Sequence, residues 1–137
     1  MTIHAQPVTL LTFDPITTAV SALTSTPVSL GRCEALAVNA DFAYGAGGTT
    51  AKAWVQTSLD GGTTWMDIAN FAFTTAAARR AYNLTAVAVT SIATPVDGTL
   101  ADNTAVNGFL GTLFRVKYTT TGTYSGATSL RITAVPQ

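Results

Sequence analysis

Five of the aspartates, Asp41, Asp60, Asp67, Asp97 and Asp102, are the side chains of this chain best suited to act on a substrate. Paired carboxylates carry glycoside hydrolysis, one protonating the leaving oxygen and the other attacking or activating water. Nothing in the spacing of these five favours such a pair. A nucleophile, base and acid relay needs a histidine, and the single His4 lies in a terminal segment with little to hold it. Zinc needs several His or Cys ligands. The single Cys33 has beside it Arg32, a neighbour that can activate a thiol, but its place close to an apolar run makes it read as a small buried residue; it has no partner for an internal disulfide. The glycine-rich stretch 45–50 lacks both the Gly-Lys-Thr/Ser ending and the following helix that hold phosphate. Asp97, Asp102 and Asn103 carry the hard oxygen donors that Ca²⁺ takes, but their spacing fits no EF-hand loop. No catalytic residue, metal ligand or cofactor is assigned. The expectation is a protein that binds or assembles, not an enzyme.

The strongest local signal is Ser58-Leu59-Asp60-Gly61-Gly62-Thr63-Thr64-Trp65, set between two strand-like runs. A short carboxylate at Asp60 can accept bonds from backbone N–H groups a few residues on and so close a turn. Gly61 and Gly62 supply the positive φ of a tight reversal. Ser58 and Thr64 add hydroxyl bonds across its mouth, and Trp65 folds a large ring beneath it. The spacing resembles the Asp-box, a hairpin motif best known from sialidase-type propellers. That resemblance implies a stapled turn at Ser58, Asp60, Gly61, Gly62, Thr64 and Trp65, remote from any catalysis. A propeller needs repeated blades, and one box in 137 residues does not supply them.

Composition sets the surroundings in which this turn must sit. Seven basic residues balance seven acidic ones, which gives no electrostatic ground for a nucleic-acid partner or an anionic membrane. Only 10% of the residues are charged, against roughly 25% in ordinary soluble domains, whereas Thr, Ser, Gly and Asn abound. A polar but nearly uncharged exterior points to a surface covered by neighbours. The N-terminal segment has no basic stretch and is broken by Pro7, Asp14 and Pro15, so a signal peptide is not expected. No apolar run reaches the roughly 20 residues of a membrane span.

The elements that must position these residues read as strands. Residues 7–13 and 16–30 carry two short ones, and 34–44 a clear one with Leu36, Val38, Ala40 and Phe42 on its inner face. A flexible hairpin connection at 45–50 follows. Residues 51–57 enter the stapled turn and 65–73 leave it, with Trp65, Ala69, Phe71 and Phe73 on one side and Met66 and Ile68 on the other. The stretch 74–80 reads as a helical turn or a corner between sheets, and 82–89 as a further strand. Residues 90–108 form the longest irregular segment, a length typical of functional loops. Residues 114–118 and 129–135 alternate cleanly and read as a hairpin around 119–128, with Arg115, Lys117 and Arg131 sharing one outer face. The fold expected is all-β: one antiparallel β-sandwich over 1–137, jelly-roll-like or Ig-like, with 1–15 a contact arm and 90–108 a long interaction loop.

Four segments taken together, 51–69 (AKAWVQTSLDGGTTWMDIA), 73–80 (FTTAAARR), 97–106 (DGTLADNTAV) and 114–124 (FRVKYTTTGTY), resemble small structural proteins of tailed bacteriophages and prophages. The resemblance spans about the C-terminal two-thirds of the chain. It implies a virion component made in the host cytoplasm: a capsid decoration or cement protein, or alternatively a neck or tail accessory subunit. The partners implied are copies of the chain and other virion proteins, with Asp97, Asp102, Asn103, Arg115, Lys117 and Arg131 as interface candidates. A carbohydrate-binding module for host attachment is the other alternative, with Trp54, Tyr82, Tyr118 and Tyr124 as a glycan platform.

Overall fold

In a computed structural model that describes residues 6–87 and 92–137, the described chain consists of strands, turns and loops without a helix. The strands are β1 (Val8–Phe13), β2 (Val20–Thr24), β3 (Val28–Ser29), β4 (Ala35–Ala43), β5 (Ala46–Gly47), β6 (Thr50–Ser58), β7 (Met66–Phe73), β8 (Ala78–Thr85), β9 (Leu113–Thr121), β10 (Tyr124–Ser125) and β11 (Ser129–Pro136). One sheet has the order β1-β11-β4-β8 and the second β2-β9-β6-β7, with β3 also on β9 and a small β10-β5 ribbon at one end. All pairings are antiparallel. With the two-residue strands set aside, this order is that of a jelly-roll sandwich, two interleaved Greek keys, rather than of an immunoglobulin sandwich.

Alternation builds the core. Leu36, Val38, Ala40 and Phe42 of β4 are all buried, as are Leu130, Ile132 and Ala134 of β11 and Leu84 of β8. From the second sheet Ala51, Ala53 and Val55 of β6 meet them, together with Phe71 and Phe73 of β7 and Phe114 and Val116 of β9. Alanines stand opposite phenylalanines along β6 and β7, since Ala51 pairs with Phe73 and Ala53 with Phe71. Small against large lets the two layers interlock. Phe42 stacks on Phe73 with ring centres 5.0 Å apart. Each such ring, fully buried, contributes about 1.5–3 kcal/mol of transfer free energy.

The glycine-rich stretch does connect β4 to β6, but it is packed, not loose. A Cβ on Gly45 would lie 1.8 Å from the carbonyl oxygen of Gly126, and one on Gly48, at φ 72°, would lie 2.2 Å from the Tyr124 ring. Here β5 and β10 close the end of the sandwich over Tyr124, whose hydroxyl donates to the Thr74 carbonyl at 2.7 Å.

Four expectations need correction. Strands β9 and β11 do not form a hairpin: β9 pairs with β6 along nine positions, whereas β11 lies between β1 and β4 in the other sheet. Arg131 therefore sits on the opposite sheet from Arg115 and Lys117, and the three make no common strip. A β-bulge between Val55 and Gln56 lets Asp67 follow Ala69 in register, leaving Ile68 as the extra residue. Met66 is thereby turned inward opposite Thr57, and Asp67 and Trp65 outward, away from Phe71 and Phe73. Finally, residues 8–13 are not part of an arm but an edge strand with Leu10 and Leu11 buried. His4 and residues 90–91 lie outside the described residues. Residues 74–77 are the corner, carrying the chain from β7 in one sheet to β8 in the other.

Substituting Gly45→Ala should lower the unfolding free energy in urea by about 2–3 kcal/mol, because the methyl group meets backbone that cannot rotate away. A change under about 0.5 kcal/mol would show that the 45–48 and 122–126 turns are not packed as described.

Candidate functional site

The outer face of the second sheet carries most of the chain's buried polar chemistry. Lys52, Trp54 and Gln56 of β6 alternate with the core-facing alanines, and the register places Gln56 opposite Arg115 and Trp54 opposite Lys117 on β9. The bulge brings Asp67 beside Gln56 from the other flank, and Asn70 stands opposite Trp54. Such a face is ordinarily wet. Here residues 95–106 lie across it and along the free edge of β7.

Backbone bonds fix that cover. Asp67 N–H donates to the Val96 carbonyl, Asn70 N–H to Thr104 and Val106 N–H to Ile68, at 2.8–2.9 Å, with an isolated bridge between Ala69 and Ala105. The Asp67 side chain, 1% exposed, is the centre of the arrangement. Its carboxylate accepts from the N–H groups of Gly98 (2.8 and 2.9 Å), Thr99 (3.0 Å) and Leu100 (3.0 Å), and from Gln56 Nε2 (2.8 Å). Gln56 is itself fully buried, donates to Asp97 Oδ1 at 2.6 Å and accepts from Arg115 Nε at 2.8 Å. Lys117 Nζ reaches Asp97 at 2.6 Å, and the Arg115 guanidinium lies 4.4 Å from the Trp65 ring centre. Further along, Trp54 Nε1 donates to the Leu100 carbonyl, Asn103 N–H donates to Asn70 Oδ1 while Asn103 Oδ1 accepts from Ala72 N–H, and Lys52 pairs with Asp102 at 2.9 Å. Asn70 Nδ2 is the buried side-chain polar atom without a partner among the described residues.

Electrostatically the cluster is balanced, two carboxylates against Arg115 and Lys117. Burial pushes the Asp97 carboxyl up, but hydrogen bonds from Lys117 and Gln56 and the charges of Lys117 and Arg115 outweigh it and hold the pKa below the ordinary value. Burial also lowers the Arg115 pKa, an effect the nearby Asp97 partly offsets. The two carboxylates are tied together by the Gln56 amide rather than set about an open cleft, so they are not placed as an acid and a nucleophile. What this arrangement does chemically is hold a loop onto a sheet.

Five of the six expected interface residues, Asp97, Asp102, Asn103, Arg115 and Lys117, come together here, engaged with their own chain; Arg131 is exposed on the other sheet. The oxygens of Asp97 and Asp102 expected to suit a hard cation face Lys117 and Lys52 instead. The glycan platform is not assembled. Trp54 is 8% exposed beneath the loop, Tyr124 is in the core, Tyr82 packs on Phe71 at 5.0 Å, and Tyr118 packs on Phe13 at 5.3 Å. Cys33 is buried, and that burial raises its thiol pKa.

The 58–65 turn is a separate feature at the end of β6. Asp60 Oδ1 accepts from the Thr63 and Thr64 amides (3.1 and 2.8 Å) and from the Ser58 hydroxyl (2.9 Å), while Oδ2 accepts from the Thr64 hydroxyl at 2.6 Å. Ser58 Oγ takes the Gly62 amide at 2.8 Å, and both Gly61 and Gly62 have positive φ. The Thr64 hydroxyl, the Thr64 amide and the Ser58 hydroxyl, in that order, lower the Asp60 pKa from 3.8 to about 2.

Gln56 and Asn70 were not singled out by sequence reasoning, and Asp67 entered it only as one of five aspartates weighed for paired-carboxylate chemistry. The signal for them was three polar residues in strands otherwise rich in Ala, Trp and Phe. Comparison with family models, with curated proteins and with solved structures finds no match.

Two outcomes follow from this geometry. Replacing Asp67 with Ala strands three loop N–H groups and should cost about 2–4 kcal/mol, with amide exchange at Gly98, Thr99 and Leu100 speeding far more than in β4. Equal acceleration everywhere would contradict a local clamp. For Asp60 the folded pKa is depressed, so its stabilisation is fully present above 3.8 and drains away as pH falls toward about 2. Protection of the Thr63 and Thr64 amides, corrected for intrinsic rates, should fall over that window in the native protein but be pH-independent in Asp60→Asn.

Proposed function

We propose that this chain is a structural subunit of a tailed-bacteriophage particle, a capsid decoration or cement protein that stabilises the shell through contacts with other virion proteins and copies of itself. It would be made in the host cytoplasm and end in the virion. The observation that carries this reading is the contrast between the two sheets. The outer face of the second is closed by the chain's own loop, whereas that of the first is left open, with short side chains and its charges confined to one row.

The open face is made by Ala37, Asn39, Asp41 and Ala43 of β4, by Arg131, Thr133 and Val135 of β11 and by Arg79, Ala81 and Asn83 of β8. Its charges fall in one cross-strand row, Arg131, Asp41 and Arg79. Short side chains lose little rotamer freedom when covered, and Asp41 between Arg131 and Arg79 leaves the charged row partly paired within the face. Such a surface suits a broad contact with another protein. The jelly-roll strand order, frequent in viral capsid and lectin domains, adds support by fold-level analogy. The lectin-like alternative lacks an exposed aromatic plane, since its four candidate rings pack within the chain.

The test is binding of the purified protein to shells of a tailed phage that lack their decoration subunit. Binding in hundreds of copies per particle is expected for a decoration protein, whereas six or twelve would make it a neck or tail subunit. Ala37→Glu, on the open face of the interior strand β4, should abolish binding while changing stability by less than about 0.5 kcal/mol. Retained binding by that variant, or none by the parent chain, would overturn the reading.

A further inference from the structure

The four outer edges of the sandwich are not equivalent. That of β7 is occupied by residues 96–106. The β2 edge is broken by a register shift between Val20 and Leu23 and by Ala22 at φ 51°, and β1 carries a shift between Thr9 and Leu11. Bulges of this kind blunt an edge against pairing. Strand β8 is different. It runs in unbroken register with β4 from Ala35↔Thr85 to Phe42↔Ala78.

The direction of its backbone groups can be read from Thr85, whose N–H donates to Asn107 Oδ1 and whose carbonyl accepts from Gly108 N–H, away from β4. Antiparallel alternation then turns the N–H and C=O of Asn83, Ala81 and Arg79 outward as well. None of these three meets a backbone partner on that side among the described residues. All three are exposed. The result is a straight edge of three residues, closed at one end by the 107–108 cap.

We propose that this edge pairs with the β8 edge of a second copy about a two-fold axis through Ala81, joining the two four-stranded sheets into one of eight. Self-pairing in antiparallel sense admits few registers, and the side chains choose among them. With the axis at Ala81, the outward groups of all three residues are used: Ala81 faces Ala81 of the partner subunit, and Arg79 faces Asn83 of the partner subunit on both sides of the axis. An axis at Arg80 or Arg79 sets like charges directly opposite, which is destabilising. An axis at Tyr82 or Asn83 demands the outward groups of Thr85, already bonded to Asn107 and Gly108. Only the Ala81 register satisfies both constraints. It gives the isologous contact expected of a two-fold dimer and leaves the open sheet face continuous across both copies. This inference stands independently of the virion reading, since the pairing is a property of the free protein.

Sedimentation equilibrium tests it directly. The parent chain should show a reversible monomer–dimer equilibrium. Ala81→Pro removes an N–H that makes no bond to β4 and should leave a folded monomer. The exposed Asn83 gives a second, register-specific arm: Asn83→Glu, set against Arg79 of the partner subunit twice per dimer, should tighten association about tenfold at low salt, and Asn83→Lys should weaken it by a similar factor. The gain from Glu should shrink in high salt. Should circular dichroism show that Ala81→Pro fails to fold, the opposed shifts of the two Asn83 variants decide. A chain that stays monomeric at all soluble concentrations, or a dimer whose affinity ignores both Asn83 substitutions, overturns the proposal.

Discussion

A buried carboxylate that must find all of its hydrogen-bond donors governs this structure. Asp67 sits on an outward position of β7, 1% exposed, and would be strongly destabilising if left without partners. Three successive amides of the 98–100 segment and the Gln56 amide supply those partners. In meeting them the loop is drawn across the second sheet, which hides Trp54, caps the β7 edge and places Asp97 between Lys117 and Gln56. One face of the sandwich is thereby finished by the chain itself. The other is left open.

How much of this could be read in the residues depended on the range of the interaction. Local patterns were legible: the alternation of Leu36, Val38, Ala40 and Phe42 gave β4 and its buried face, and the Ser58 to Trp65 spacing gave a turn closed by Asp60. Pairing across long separations was not. Alternation in 114–118 and 129–135 states which side chains share a face but not which strand lies alongside, so neighbours in sequence were expected to pair when they belong to different sheets. The bulge at Val55 and Gln56 has no composition signature, yet it reverses the facing of Trp65 and Asp67. The length of 90–108 marked it as unusual, and its polar residues were read as reaching outward. In the described part of the loop they reach inward, because Gln56, Asp67 and Asn70 on the sheet beneath offer partners that no local pattern reveals.

Low charge takes on a more definite meaning in this light. Of the few ionic groups, Lys52, Asp97, Asp102, Arg115 and Lys117 are spent on fastening the loop, and Asp60 on closing a turn. What remains on the open sheet is one row of Arg131, Asp41 and Arg79 among alanine, asparagine and threonine. Low overall charge therefore reflects how many ionic groups are engaged within the chain, with the remaining row on the open sheet alternating in sign. The same jelly-roll frame serves many roles elsewhere, so the weight of the functional reading rests on this face and not on the fold.

The most direct measurement is a cryo-electron microscopy reconstruction of a decorated shell, at a resolution that places individual strands. The account predicts the exposed side of the β1-β11-β4-β8 sheet against the neighbouring subunits and the 95–106 segment on its own sandwich, away from the junction. A map with that segment lifted from the sandwich and inserted between subunits, the β4 face in solvent, would contradict it.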